Sequence, residues 1–288
     1  MAHTTSGPAQ SGEPVAPMKA SNLTLRIISA AIMAPIAIGA AYWGDWVFAL
    51  FWAAAAIAVL WEWITLVAGR DHALMLSSFG SAIAVAAILA WDDRPIVALL
   101  LVVLGALAAS IFAPRKERIW IMAGIGYAGA MVLAPIVLRG EDWLGFIAIV
   151  LLFAIVWTTD ILAYFTGRAI GGPKLMPSVS PKKTWSGAIG GTLGAVIVTV
   201  LVAAVFSDLN KTALGLLALV LSVVSQAGDL LESHIKRHFG AKDASTLIPG
   251  HGGAMDRLDG FWAAVVVAVI IGLVRGGLDE PARGLLMW

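Results

Sequence analysis

The 288-residue chain is 60% hydrophobic and only 13% charged, with a mean hydropathy of +0.89, which no soluble globular domain would tolerate on its surface. Its place is in a bilayer. The net charge of +1 says nothing in favour of nucleic acid, and the absence of cysteine excludes disulfides, thiolate zinc sites and cysteine nucleophiles, so any metal must sit on oxygen or imidazole ligands.

Residues 1–22 are rich in Ala, Ser, Thr, Gly and Pro without periodicity, and read as a disordered tail. They do not read as a signal peptide, because a polar tail precedes a full-length apolar span. A bilayer core about 30 Å thick needs about 20 apolar residues per helix. That rule places nine spans near 25–43, 46–67, 73–91, 95–113, 119–138, 143–165, 184–206, 212–231 and 260–277. The expected fold is all-α and polytopic, with a polar cleft open to the cytoplasm. Its parts are a cytoplasmic tail over 1–22, N-terminal transmembrane helices over 23–140 and a C-terminal catalytic transmembrane region over 141–288. Trp43, Trp46, Trp61, Trp63, Trp91, Trp120 and Trp143 fall near span ends, where an indole sits well among headgroups.

Fourteen of the 19 basic residues fall on the side of the N-terminus and the two long loops, 166–183 and 232–259. By the positive-inside rule these segments face the cytoplasm of a cell (inner or plasma) membrane protein. On a helix, Asp160, Tyr164 and Arg168 share one face at i, i+4 and i+8. A carboxylate in an apolar span faces a polar cavity or a partner, here either a cleft or Arg168 itself.

The segment Ser180-Pro181-Lys182-Lys183-Thr184-Trp185 has the grammar of a helix start, with Ser180 as N-cap and Pro181 at the first helical position. Free N–H groups there, with Lys182 and Lys183, make a candidate anion site; the alternative is an ordinary basic flank. The glycines 187, 190, 191 and 194 are spaced for close helix packing.

Ser222, Ser225, Gln226, Asp229, Glu232, Ser233 and Lys236 recur every three or four positions, one stripe on the eighth span. Such a stripe lines a cleft or a transport pathway. The loop beyond it closes on Gly250-His251-Gly252-Gly253, with Asp256 and Asp259 just before the ninth span. Carboxylates gathered in two loops on one side suit an oxygen-ligated Mg²⁺, and otherwise are solvated loop charges. The GxGxxG match at Gly124, Gly126 and Gly129 lies inside an apolar span, so helix packing explains it better than a nucleotide loop.

The run Gly228-Asp229…Glu232-Ser233…Lys236-Arg237, then Lys242-Asp243, Pro249 to Gly253 and Asp256-Arg257-Leu258-Asp259, resembles the signature of the phosphatidate cytidylyltransferase family. Asp160 to Arg168 and Ser180 to Trp185 are similar to two further blocks of that family. Together they cover roughly the last 45% of the chain. Ser186 stands where the family usually has Glu, and the spacer Ala244 to Ile248 is particular to this chain.

The resemblance implies an Mg²⁺-dependent enzyme, with room for a second cation. It also implies a homodimer in membrane lipid whose substrates are CTP and phosphatidate and whose products are CDP-diacylglycerol and pyrophosphate. On that reading Asp229 and Asp256 are the first metal ligands, with Asp160 and Asp259 next. Lys182 and Lys183, with Ser180, Tyr164, Gly252 and Gly253, hold the nucleotide, while Lys236, Arg237 and His251 serve the reacting phosphates. A CTP-dependent lipid kinase of similar architecture and a transporter lined by the eighth span are the alternatives.

Overall fold

The computed structural model describes residues 22–69, 72–205, 209–248 and 252–288. Among them lie helices α1 Asn22–Trp43, α2 Asp45–Ala68, α3 Ala73–Trp91, α4 Pro95–Phe112, α5 Arg118–Arg139 and α6 Trp143–Ile170. A small antiparallel hairpin follows, β1 Lys174–Met176 with β2 Ser180–Thr184. Then come α7 Trp185–Val205, α8 Lys211–His238, α9 Met255–Gly276 and the short α10 Pro281–Leu286. Eight helices, α2 to α9, are long and apolar enough to cross a membrane. Within α1, residues 28–43 form a further apolar helical stretch.

The packing is that of a membrane protein, with small residues inside and large ones outside. In α4, Ala98, Val102 and Ala109 are buried, while Leu99, Leu100, Val103, Leu104, Leu107 and Ile111 point outward. Lipid solvates such a surface, so helix association rests on close fit instead of on escape from water. α6 and α7 meet along the glycine stripe: a Cβ on Gly187 would come within 2.7 Å of the Ala163 carbonyl oxygen, and one on Gly191 within 2.5 Å of that of Thr159. Gly124 packs against Trp63 and Gly129 against Val102, which is the helix-packing role read for them.

Helices α2 to α5 pack on one another, as do α6 to α10, and α9 bridges the two groups by touching α2 and α5. Aromatic rings make that bridge. Tyr127 of α5 stacks on Trp262 of α9 with centroids 4.1 Å apart, and Trp262 Nε1 donates to the Tyr127 carbonyl at 3.0 Å. On its other side Tyr127 meets Trp63 of α2 at 5.2 Å. Trp63 is therefore no interfacial anchor: it is buried, and its indole N–H donates to the Trp120 carbonyl at 2.8 Å.

A second sequence expectation also needs correction. Ser180 and Pro181 do not open a helix; residues 180–184 are extended and pair with β1, Met176 opposite Ser180 and Lys174 opposite Thr184. Thr184 takes the capping role four residues later, its Oγ1 accepting from the Gly187 N–H at 3.1 Å. The physical reason lies upstream. α6 ends at Gly171, whose φ of 67° only glycine adopts without strain, and the chain turns back so that the Trp185 N–H donates to the Pro173 carbonyl at 3.0 Å.

Candidate active site

The hairpin sets the lysines by strand alternation, which sends successive side chains to opposite faces. Lys182 is exposed, whereas Lys183 is half-buried and ion-paired with Asp229 of α8. Asp229 also accepts from Ser233 one turn on, at 3.4 Å. The anion site read as a helix N-terminus is thus a strand that brings one ammonium group against the polar stripe and leaves the other in the open.

The stripe on α8 faces inward, toward α6, α7 and α9. Ser222 shares a hydrogen bond with Thr159 of α6 at 2.8 Å and donates to Thr192 of α7 at 3.1 Å, and the Gln226 amide donates to the same Thr192 oxygen at 2.9 Å. These bonds satisfy polar groups that lipid could not. Nearer the loops the stripe becomes ionic. Glu232 and Lys236 pair at 2.6 Å, and Lys236 also pairs with Asp256 of α9. Both Glu232 and Lys236 are buried, and Glu232 Oε1 has no hydrogen-bond partner among the described residues.

Asp256 is the most heavily engaged carboxylate. Besides Lys236, it accepts from the backbone N–H of Ala244 at 3.0 Å and of Gly253 at 2.8 Å. Asp259, one turn on, lies within electrostatic reach of Asp229, Glu232 and Asp160. Asp160 in turn feels Asp229, Lys183 and Arg257. The pairing of Asp160 with Arg168 is not formed, and Tyr164 is exposed with its ring against Phe165.

Arg237 donates to the carbonyls of Val179 at 3.5 Å and Ala241 at 3.1 Å, tying the hairpin to the end of α8. Both polar loops therefore lie at one end of the molecule. Gly252, with φ 91°, exchanges two backbone hydrogen bonds with Ile248. His251 lies outside the described residues.

One residue of this region went unread in the sequence. Glu62, in the middle of Trp61-Glu62-Trp63 on α2, is fully buried at 0% exposure. Its carboxylate accepts from Ser245 Oγ at 2.5 Å and from the N–H groups of Ala254 at 2.8 Å and Met255 at 2.7 Å. A carboxylate in an apolar span was itself the signal, because such a group is expensive unless it meets a partner.

Five carboxylates (Asp160, Asp229, Glu232, Asp256 and Asp259) thus share this region with Lys183, Lys236 and Arg257. All the donors are hard oxygens, and negative charge is in excess, which is the chemistry a Mg²⁺ ion favours. Among the described residues no three such groups converge tightly enough to hold an ion as they stand. Ammonium groups instead sit on the oxygens of Asp229 and Asp256, so cations already occupy the positions of the two carboxylates first read as ligands.

Fold and site define a polytopic helical membrane protein with a charged end suited to phosphate-bearing ligands. A model of the Cytidylyltransferase family matches residues 24–274. The phosphatidate cytidylyltransferases of Brucella suis and Brucella melitensis are each 43% identical over 263 residues, which is 91% of this chain and 97% of theirs. That of Staphylococcus epidermidis is 50% identical over 111 residues, 38% of this chain and 42% of its own length. The chain belongs to the cytidylyltransferase family, and it is a nucleotidyltransferase.

Proposed function

We infer that this enzyme transfers CMP from CTP to phosphatidate, giving CDP-diacylglycerol and pyrophosphate. The observation that carries this reading is the likeness to phosphatidate cytidylyltransferases along almost their whole length, joined to a charged cluster at one end of the bundle. A phosphate oxygen of phosphatidate attacks the α-phosphorus of CTP, the bond to the bridging oxygen of the β-phosphate breaks, and pyrophosphate leaves. The substrate supplies the nucleophile, so the protein contributes positioning and charge.

Asp229 and Asp256, with Asp160 and Asp259 beside them, would hold Mg²⁺ once the Lys183 and Lys236 ammonium groups move off them onto phosphate. That ion would neutralise triphosphate oxygens that the carboxylates alone repel. Lys182 and Lys183 orient the triphosphate, Lys182 from its open position and Lys183 from beside Asp229. Lys236, on leaving its carboxylate partners, and Arg237 would meet the lipid phosphate or the leaving pyrophosphate. In keeping with the basic-residue distribution, the catalytic end faces the cytoplasm and α1 completes nine spans in the cell membrane; the family resemblance implies that the enzyme works as a homodimer. The chemistry resides in 141–288, with Glu62 contributed from the N-terminal helices.

Labelled CTP tests the reaction. With phosphatidate and Mg²⁺, α-labelled CTP places label in lipid and γ-labelled CTP places it in pyrophosphate. Lipid labelled only from the γ-position would mean a kinase, and vesicle uptake without covalent change a transporter.

A further inference from the structure

The glycine-rich loop and the start of α9 are held from outside their own half of the chain. Ala254, which precedes α9, offers no side-chain cap, so the first N–H groups of that helix need another acceptor. Glu62 supplies it from α2, 192 residues earlier in the chain, and takes Ser245 from the far side of the same loop. Gly253 lies directly against it: a Cβ there would come within 2.6 Å of Glu62 Oε1. A side chain at this position would therefore press on the carboxylate that holds the start of α9. Directly after this anchored turn comes Asp256, and Asp256 fixes Lys236.

We propose that Glu62 is a positioning residue for the reaction: it clamps Ser245, Ala254 and Met255 so that Asp256 and Lys236 are presented in register with Asp229. The proposal rests on the cytidylyltransferase reading for its kinetic consequence. Glu62 is itself positioned by its neighbours, since Trp63 is pinned between the Trp120 carbonyl and the Tyr127 ring. The clamp thereby ties the reacting end of α9 to α2 and α5, which supply none of the carboxylates or lysines of the cluster.

The test uses the purified full-length protein in detergent. Glu62→Gln keeps the size of the side chain but turns an NH₂ toward at least one of its three donors. Folded Glu62→Gln should lose roughly 100-fold in kcat, the scale of an ångström-sized misplacement of reacting groups, with KM for CTP little changed. A folded variant with wild-type kcat overturns the proposal.

Should Glu62→Gln fail to fold, Ser245→Ala removes a single donor from the loop side and should lower kcat roughly tenfold; unchanged kcat overturns the clamp. Where both fold, the double variant should be no worse than Glu62→Gln alone, and multiplying losses would refute a shared device. Amide exchange gives a readout independent of turnover. The amides of Ala254 and Met255 should exchange about tenfold faster in Glu62→Gln, and unchanged protection there overturns the clamp even if wild-type protein labels no lipid, a result that would instead sink the functional reading.

Discussion

The carboxylates and lysines at the polar end have separable energetic roles. Asp229 pairs with Lys183 and lies within reach of Asp259, Glu232 and Asp160, and on the proposed reading its charge serves the phosphates and the cation. Asp229→Asn should lower turnover at least about 100-fold while the protein elutes and melts as wild type. Lys236 is different because it lies buried between Glu232 and Asp256. Lys236→Met leaves two buried carboxylates without their cation and should destabilise the fold by about 3–5 kcal/mol, seen as a lowered denaturation midpoint in micelles. These residues were legible because charge in an apolar span stands out. Glu62 obeys the same rule and was missed: its partners are 183 to 193 positions away, and no local spacing announces them.

At the scale of elements, span positions were readable because bilayer thickness fixes helix length, but helix ends were not. α6 and α8 each run 28 residues, about 42 Å at 1.5 Å per residue, against a hydrocarbon core of about 30 Å. Their surplus turns carry Arg168 in one case and Lys236 and Arg237 in the other beyond the apolar spans read from hydropathy. The hairpin was illegible for another reason. Its strands are only three and five residues long, Pro181 interrupts the second, and Ser-Pro reads locally as a helix start.

The true cap can be tested. Thr184→Ala should cost about 1 kcal/mol of stability and loosen the approach of Lys183 to Asp229, measurable as lower thermal stability with a raised KM for CTP. The α6–α7 seam is stricter. Gly191→Val drives a side chain into the Thr159 carbonyl and should cost about 1–3 kcal/mol in denaturation by detergent exchange or heat.

For the whole molecule, orientation is the cheapest property to measure, because a chain without cysteine accepts single engineered ones against no background. Lys116→Cys and Thr246→Cys should react with impermeant thiol reagents from the cytoplasmic side, and Glu141→Cys only from the outside. All three sites are exposed. Labelling of Thr246→Cys from the outside would invert the proposed placement of the polar end.

The opposite end of the molecule holds a feature of another kind. Arg139, at the end of α5, is buried and donates to the backbone carbonyls of Ala41, Tyr42, Gly140 and Asp142. Gly44 lies so close that any Cβ there would press on the guanidinium. Every acceptor is main chain, so this joint recognises the path of the polypeptide and not the identity of its side chains. Substitutions at Tyr42 or Asp142 therefore leave these acceptors in place, whereas Gly44, with φ 66°, is held to glycine by its own backbone as well as by the guanidinium beside it.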